Sequence, residues 1–122
     1  MRPNVIIAQH DPASAASLAL SLMPHCRAIR VVNSREELSA AVPRHRADVV
    51  VADLEMLSMS EIEALHEQFR QLAIVCTHRV PDEEMWAKAL RAGAVDCCST
   101  DDVPGIVGIA THQQSLSKSI AA

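Results

Sequence analysis

Short apolar, β-branched runs alternate along the chain with longer stretches whose apolar residues recur every three or four positions. The runs are "NVIIA" (4–8), "AIRVV" (28–32), "DVVVAD" (48–53), "LAIVCT" (72–77) and "AVDCC" (94–98). Each is short enough for a strand, and the third is the most hydrophobic, which predicts a central position covered on both faces. "AIRVV" alternates and predicts a more exposed strand. Between the runs lie predicted helices at 11–23, 34–42, 60–69 and 81–93, and a last one from Asp101 or Asp102 through Ile106, Val107 and Ala110.

Local chemistry marks the helix ends. Asp11 can cap the first helix, with Pro12 at its first position. Ser34 and Glu37 have capping-box spacing. The fourth helix opens on Pro81 and three acids, as the helix dipole favours, and stops at Gly93. In the third, Ile62, Leu65 and Phe69 share one face. Five β/α units with short connections predict one α/β domain: a parallel sheet with helices on both faces.

Composition narrows the function classes. The chain has 122 residues, enough for one domain with a real core. Aromatics are 2%, so the core must be aliphatic. The formal net charge of −4 argues against non-specific nucleic-acid binding by this domain. No apolar run is long enough to span a membrane, and the N-terminus has no signal-peptide core. The four cysteines, Cys26, Cys76, Cys97 and Cys98, lack CxxC spacing. They read as reduced, buried residues of a cytoplasmic protein. Cys97 and Cys98, as strand neighbours, point to opposite faces and are poorly placed to bridge.

In an open α/β sheet, ligands bind beyond the carboxyl ends of the strands. The first strand ends at Gln9, His10 and Asp11, and the third at Asp53, Leu54 and Glu55. The fourth ends at Thr77 and His78, the fifth at Ser99 and Thr100. The buried third strand therefore delivers Asp53 to the edge where function is expected.

Four segments in register, "VIIAQHDP" (5–12), "ADVVVADLEM" (47–56), "AIVCTH" (73–78) and "ALRAGAVDCCST" (89–100), carry a family resemblance. From Asn4 to about Ala110 the chain resembles a receiver domain of bacterial two-component response regulators, the chemotaxis-regulator fold, in its atypical or pseudo-receiver branch. The resemblance implies a doubly wound, flavodoxin-like three-layer α/β/α fold with five strands in the order 2-1-3-4-5. Together with the polar, Ser-rich tail after Thr111, it places the domain at residues 1–112 and makes 113–122 the end of the last helix or the start of a linker. It makes Asp53 the candidate phospho-acceptor and Thr77 the candidate phosphoryl contact.

The same resemblance exposes departures. The acidic pair that holds Mg²⁺ in the family is Gln9 and His10. The lysine position is Thr100, and the aromatic switch position is Cys97. A carboxylate attacking a phosphoryl group meets like-charge repulsion that bound cations offset, so their loss implies degenerate phosphorylation chemistry. Mg²⁺ is expected only if the domain is phosphorylation-competent, and otherwise no cofactor.

The alternatives stay open. One is a working phospho-accepting receiver with an unusual metal shell drawn from Asp53, Glu55, His10 and Asp11. Another is a transition-metal sensor or hydrolase on His10, His78 and Asp53, since two imidazoles and carboxylates suit such ions better than Mg²⁺. A protonated His10 or His78 could supply the missing positive charge. Both histidines could equally be solvated loop residues, Asp53 an inert acid held by local N–H groups, and Thr77 a hydroxyl bonded to backbone. The implied function is signalling through protein–protein contact, not enzymatic turnover. The implied partners are a histidine kinase or another signalling protein, and a homodimer through the fourth helix, fifth strand and fifth helix. Trp86 would anchor that face or pack on its own helix, and "PDEE" (81–84) would give it a negative rim.

Overall fold

The computed structural model describes residues 2–121, and of residues 113–121 the backbone alone. Strands β1 (Asn4–Ala8), β2 (Ala28–Val32), β3 (Val49–Asp53), β4 (Ala73–His78) and β5 (Asp96–Ser99) form one sheet, ordered β2-β1-β3-β4-β5. Every pairing is parallel. The helices between them are α1 (Pro12–Leu22), α2 (Arg35–Arg44), α3 (Met59–Gln68), α4 (Glu83–Ala92) and α5 (Val103–Ala121). The fold is the flavodoxin-like α/β arrangement, with β3 at the centre as its composition predicts. The tail at 113–122, beyond the expected domain end, falls on residues whose side chains lie outside the described set.

The two faces of the sheet follow from strand alternation. Ile6, Val50, Ile74 and Cys76 point to one side, against Leu38 and Val42 of α2, Ile62 and Leu65 of α3 and Ala89 of α4. Val5, Ile7, Val49, Val51 and Val75 point to the other, against Leu18 and Leu22 of α1 and Ile106 and Ala110 of α5. Each fully buried Val, Leu or Ile contributes roughly 1.5–3 kcal/mol. Cys97 and Cys98 fall in opposite layers, and all four cysteines are free and buried. β2 is an edge strand with only Val32 buried, in keeping with its alternating pattern.

The caps form as their residue types require. Asp11 is extended, and its carboxylate accepts from the Ser14 N–H. Ser34 accepts from the Glu37 N–H. Gly93 closes α4 at φ +110°, the left-handed position that favours glycine.

Some boundaries differ from those predicted. α2 continues past 42 to Arg44 because Pro43 falls in the last turn, where the N–H it lacks would have met only the carbonyl of exposed Ser39. α3 starts at Met59, one residue early, because Ser58 and Glu61 form a reciprocal capping box. Phe69 is the residue after that helix, and it still packs on the α3 side of the core. β4 begins at Ala73 because the Leu72 N–H closes a turn on Phe69. β5 begins at Asp96 because the Ala94 N–H is spent closing α4 on Ala89. Trp86 does not simply lie on its own helix: its indole N–H donates to Asp96 on β5 at 2.9 Å, with the residue 46% exposed.

Candidate functional site

Parallel pairing of β3 with β4 sets Asp53 opposite Thr77 at the carboxyl edge of the sheet. Both are buried, Asp53 at 1% exposure and Thr77 at 0%. A carboxylate so far from water needs donors. Asp53 has three. Its Oδ1 accepts from the Glu55 N–H at 2.8 Å, closing an Asx turn at the strand end. Its Oδ2 accepts from the His10 N–H at 3.1 Å and pairs with His10 Nδ1.

His10 stands between two acids. Its Nδ1 meets Asp53 and its Nε2 lies 3.5 Å from Glu55 Oε2. The hydrogen bond to Asp53, and then the charge of Asp53, raise the His10 pKa. The ring thus bridges two carboxylates at the acidic edge.

Glu55 is the hub of the rim. Arg79 Nε donates to Glu55 Oε1 at 2.7 Å, and His78 Nε2 lies 3.7 Å from the same oxygen. His78 Nδ1 accepts from the Val80 N–H at 3.1 Å, so the ring proton resides on Nε2. His78 therefore turns its Nε2–H toward Glu55, beyond hydrogen-bond distance.

The other residues singled out by sequence lie at the same edge, and those that bond take other partners. The Gln9 amide donates to Thr77 Oγ1 at 2.9 Å, so the Thr77 hydroxyl is bonded by a side chain where backbone was one expectation. Asp11 spends Oδ2 on the Ser14 hydroxyl, at 2.7 Å, and on its N–H, and these bonds lower its pKa. Thr100 is 9% exposed and lines the same cleft as His10, Glu55 and Arg79. Arg79 escaped the sequence reading. Its signal was its place, directly after Thr77 and His78 at the end of β4, where any cation reaches the acidic edge.

The donors do not suit Mg²⁺. That ion prefers hard oxygen ligands in near-octahedral order. Here Gln9 is committed to Thr77, His10 offers nitrogen, and Asp11 is committed to its helix cap.

The shared architecture is that of response-regulator receiver domains. A response regulator from Thermotoga maritima matches with a TM-score of 0.85 at 17% identity, over 94% of this chain and 99% of that one. The RcsB response regulator of Salmonella typhimurium matches at 0.83 and 18% identity, over 95% of this chain and 61% of that one. NtrX from Brucella abortus matches at 0.83 and 16% identity over 99% of this chain, which spans 29% of the NtrX chain. No family model and no curated protein matches the sequence. The chain thus has the receiver fold. Among the described residues no helix is long and apolar enough to cross a membrane.

Proposed function

We propose that this chain is an atypical receiver module of two-component signal transduction, acting by protein–protein contact, with degenerate phosphorylation chemistry at Asp53. The observation that carries this reading is the capture of Asp53 by His10. The position that would present a metal-binding carboxylate presents an imidazole, bonded to Oδ2 of the candidate acceptor. The Thr77 hydroxyl already accepts a bond from Gln9. Thr100 brings no charge to the place where a lysine would neutralise the phosphoryl group. Adding about two negative charges at a buried carboxylate without a bound cation is strongly disfavoured.

The module comprises residues 1–112, works in the cytoplasm, and is not an independent enzyme. Its partner is a histidine kinase or another signalling protein, and its contact face is α4–β5–α5, where half-exposed Trp86 stands beside Asp82, Glu83 and Glu84. The net charge of −4 supports a protein partner over nucleic acid for this domain.

The test is an intact-mass spectrum after incubation with acetyl phosphate and Mg²⁺, beside an Asp53→Ala control. The expected result is no phosphoryl adduct. An adduct that disappears in the control would overturn the reading and establish a phospho-accepting receiver.

A further inference from the structure

Three ligand atoms, one each from His10, Asp53 and Glu55, lie within 4.8 Å of one another at the carboxyl edge of the sheet. They come from two separate segments, the loop after β1 and the end of β3 with its following turn. Two donors on one ion of zinc size lie no more than roughly 4.3 Å apart, and a turn of the half-exposed His10 ring off Asp53 would let one of its nitrogens share a centre with both carboxylates. One imidazole and two carboxylates form a mixed nitrogen and oxygen set.

From this geometry we infer that His10, Asp53 and Glu55 form a binding site for a borderline transition-metal cation of the Zn²⁺, Co²⁺ or Ni²⁺ class, not for Mg²⁺. The inference rests on the receiver-like reading above in one respect: the Asp53 carboxylate must be free of a phosphoryl group. Imidazole ligands favour such ions over Mg²⁺, and affinity for a given site rises from Co²⁺ to Ni²⁺. Three protein ligands leave further coordination positions to water, as in open zinc sites.

The surrounding groups assign distinct roles. His78 is a positioning residue. Its Nδ1 is committed to the Val80 N–H, so it steadies Glu55 Oε1 from outside and is no ligand while that bond holds. The ligand set is therefore His10, Asp53 and Glu55, without the His78 of one sequence alternative or the Asp11 of the other. Arg79 opposes the cation. It is 75% exposed in its side chain and bonded to Glu55 Oε1, leaving Oε2 toward His10. Removing its charge should strengthen binding. A metal held here would tie the β1–α1 loop to the β3–α3 loop, so that ion occupancy, in place of phosphorylation, would set the shape of the edge a partner meets.

The experiment is calorimetric titration of the tag-free, full 122-residue chain with ZnCl₂, NiCl₂ and MgCl₂, and a Co²⁺ titration followed by its visible absorption. The expected result is one equivalent of Zn²⁺, and no binding heat with millimolar Mg²⁺. Glu55→Gln and His10→Gln should each weaken Zn²⁺ by at least about tenfold, and Arg79→Gln should tighten it several-fold. Glu55 and Arg79 sit at the rim, and circular dichroism melts would verify folding of each variant. Zn²⁺ affinity unchanged in both His10→Gln and Glu55→Gln, or Mg²⁺ bound as tightly as Zn²⁺, would overturn the inference, as would weaker binding by Arg79→Gln. The titration contains no phosphoryl donor, so its failure is separable from that of the acetyl phosphate experiment.

Discussion

Gln9 and Thr77, 68 positions apart in sequence, are joined by a 2.9 Å hydrogen bond between two buried side chains. The amide of Gln9 donates and the hydroxyl of Thr77 accepts. Removing either partner leaves the other buried and unsatisfied, at a cost of about 1–3 kcal/mol. Gln9→Leu and Thr77→Val should therefore each lower stability by that amount in urea unfolding. The double variant should lose clearly less than the sum of the two. Strict additivity would show that the bond contributes nothing of its own.

Charge compensation at Asp53 can be rebuilt. Gln9→Asp with His10→Asp restores a hard-oxygen pair and frees Asp53 Oδ2 from the imidazole ring. Thr100→Lys restores a cation at the end of β5. The triple variant should gain an Asp53-dependent phosphoryl adduct from acetyl phosphate that requires Mg²⁺, seen by intact mass. Failure of the folded triple variant to gain one would locate the block elsewhere than in these three positions.

The thiols should be unreactive in the folded state. Burial pushes Cys76 up to about 12 and Cys98 up to about 11. At pH 7 a thiol with a pKa of 11 is ionised in roughly one molecule in ten thousand, and only the thiolate reacts quickly. Iodoacetamide should label native protein at least about a hundredfold more slowly than free cysteine, and urea should expose four labelling sites. The same shifts fix a sign for stability. The neutral thiols favour the folded state below their unfolded pKa near 9.0, and that contribution is lost as pH rises through 11 to 12. Stability should fall across this alkaline window, less so in Cys98→Ala. A native thiol reacting at the free-cysteine rate at neutral pH would contradict this account.

Asp11 gives the opposite slope. Its bonds to Ser14 lower its pKa, so its contribution is present above the unfolded pKa of 3.8 and is lost as pH falls through the lower folded value. Asp11→Asn keeps a capping acceptor but removes the titration. Its unfolding free energy should decline less steeply than that of wild type on acidification. Parallel acid limbs in the two proteins would rule the cap out as the source.

Gly93 is held by two constraints at once. Its φ of +110° is left-handed, and a Cβ there would overlap the His66 ring on α3. Gly93→Ala should destabilise by at least about 2 kcal/mol, from backbone strain of order 1–3 kcal/mol together with the overlap. Adding His66→Ala should remove the overlap with the ring but keep the 2.8 Å approach to the residue-66 Cβ and the backbone strain, recovering part of the loss. Full recovery would mean that the backbone conformation carries no strain.

Much of this architecture was legible in the chain. Periodicity is local, so the five strands, the five helices and the central place of "DVVVAD" (48–53) could be read from apolar spacing alone. Asp11, Ser34 and Gly93 marked helix ends through chemistry confined to a few neighbouring residues. Even the delivery of Asp53 to the carboxyl edge followed, because a parallel sheet has one such edge. The misplaced ends at Arg44, Met59, Ala73 and Asp96 arose where a proline fell in a final turn, where a capping box opened a helix one residue sooner, or where a turn hydrogen bond competed with the ladder.

The sequence by itself determined which residues reach the edge, and with what charge. Only the tertiary structure decided which of them meet. Parallel register set Thr77 beside Asp53, and packing of the two loops brought the His10 ring onto Asp53 and toward Glu55. The extended reach of Arg79 brought it to Glu55, 24 positions away. His10 and Asp53 are 43 positions apart. Contacts of that span are fixed by strand pairing and side-chain rotamers, which leave no periodic trace in the chain. The pattern of residues therefore predicted an acidic edge lacking its usual cations, and the folded geometry turned it into a histidine clasped between two carboxylates.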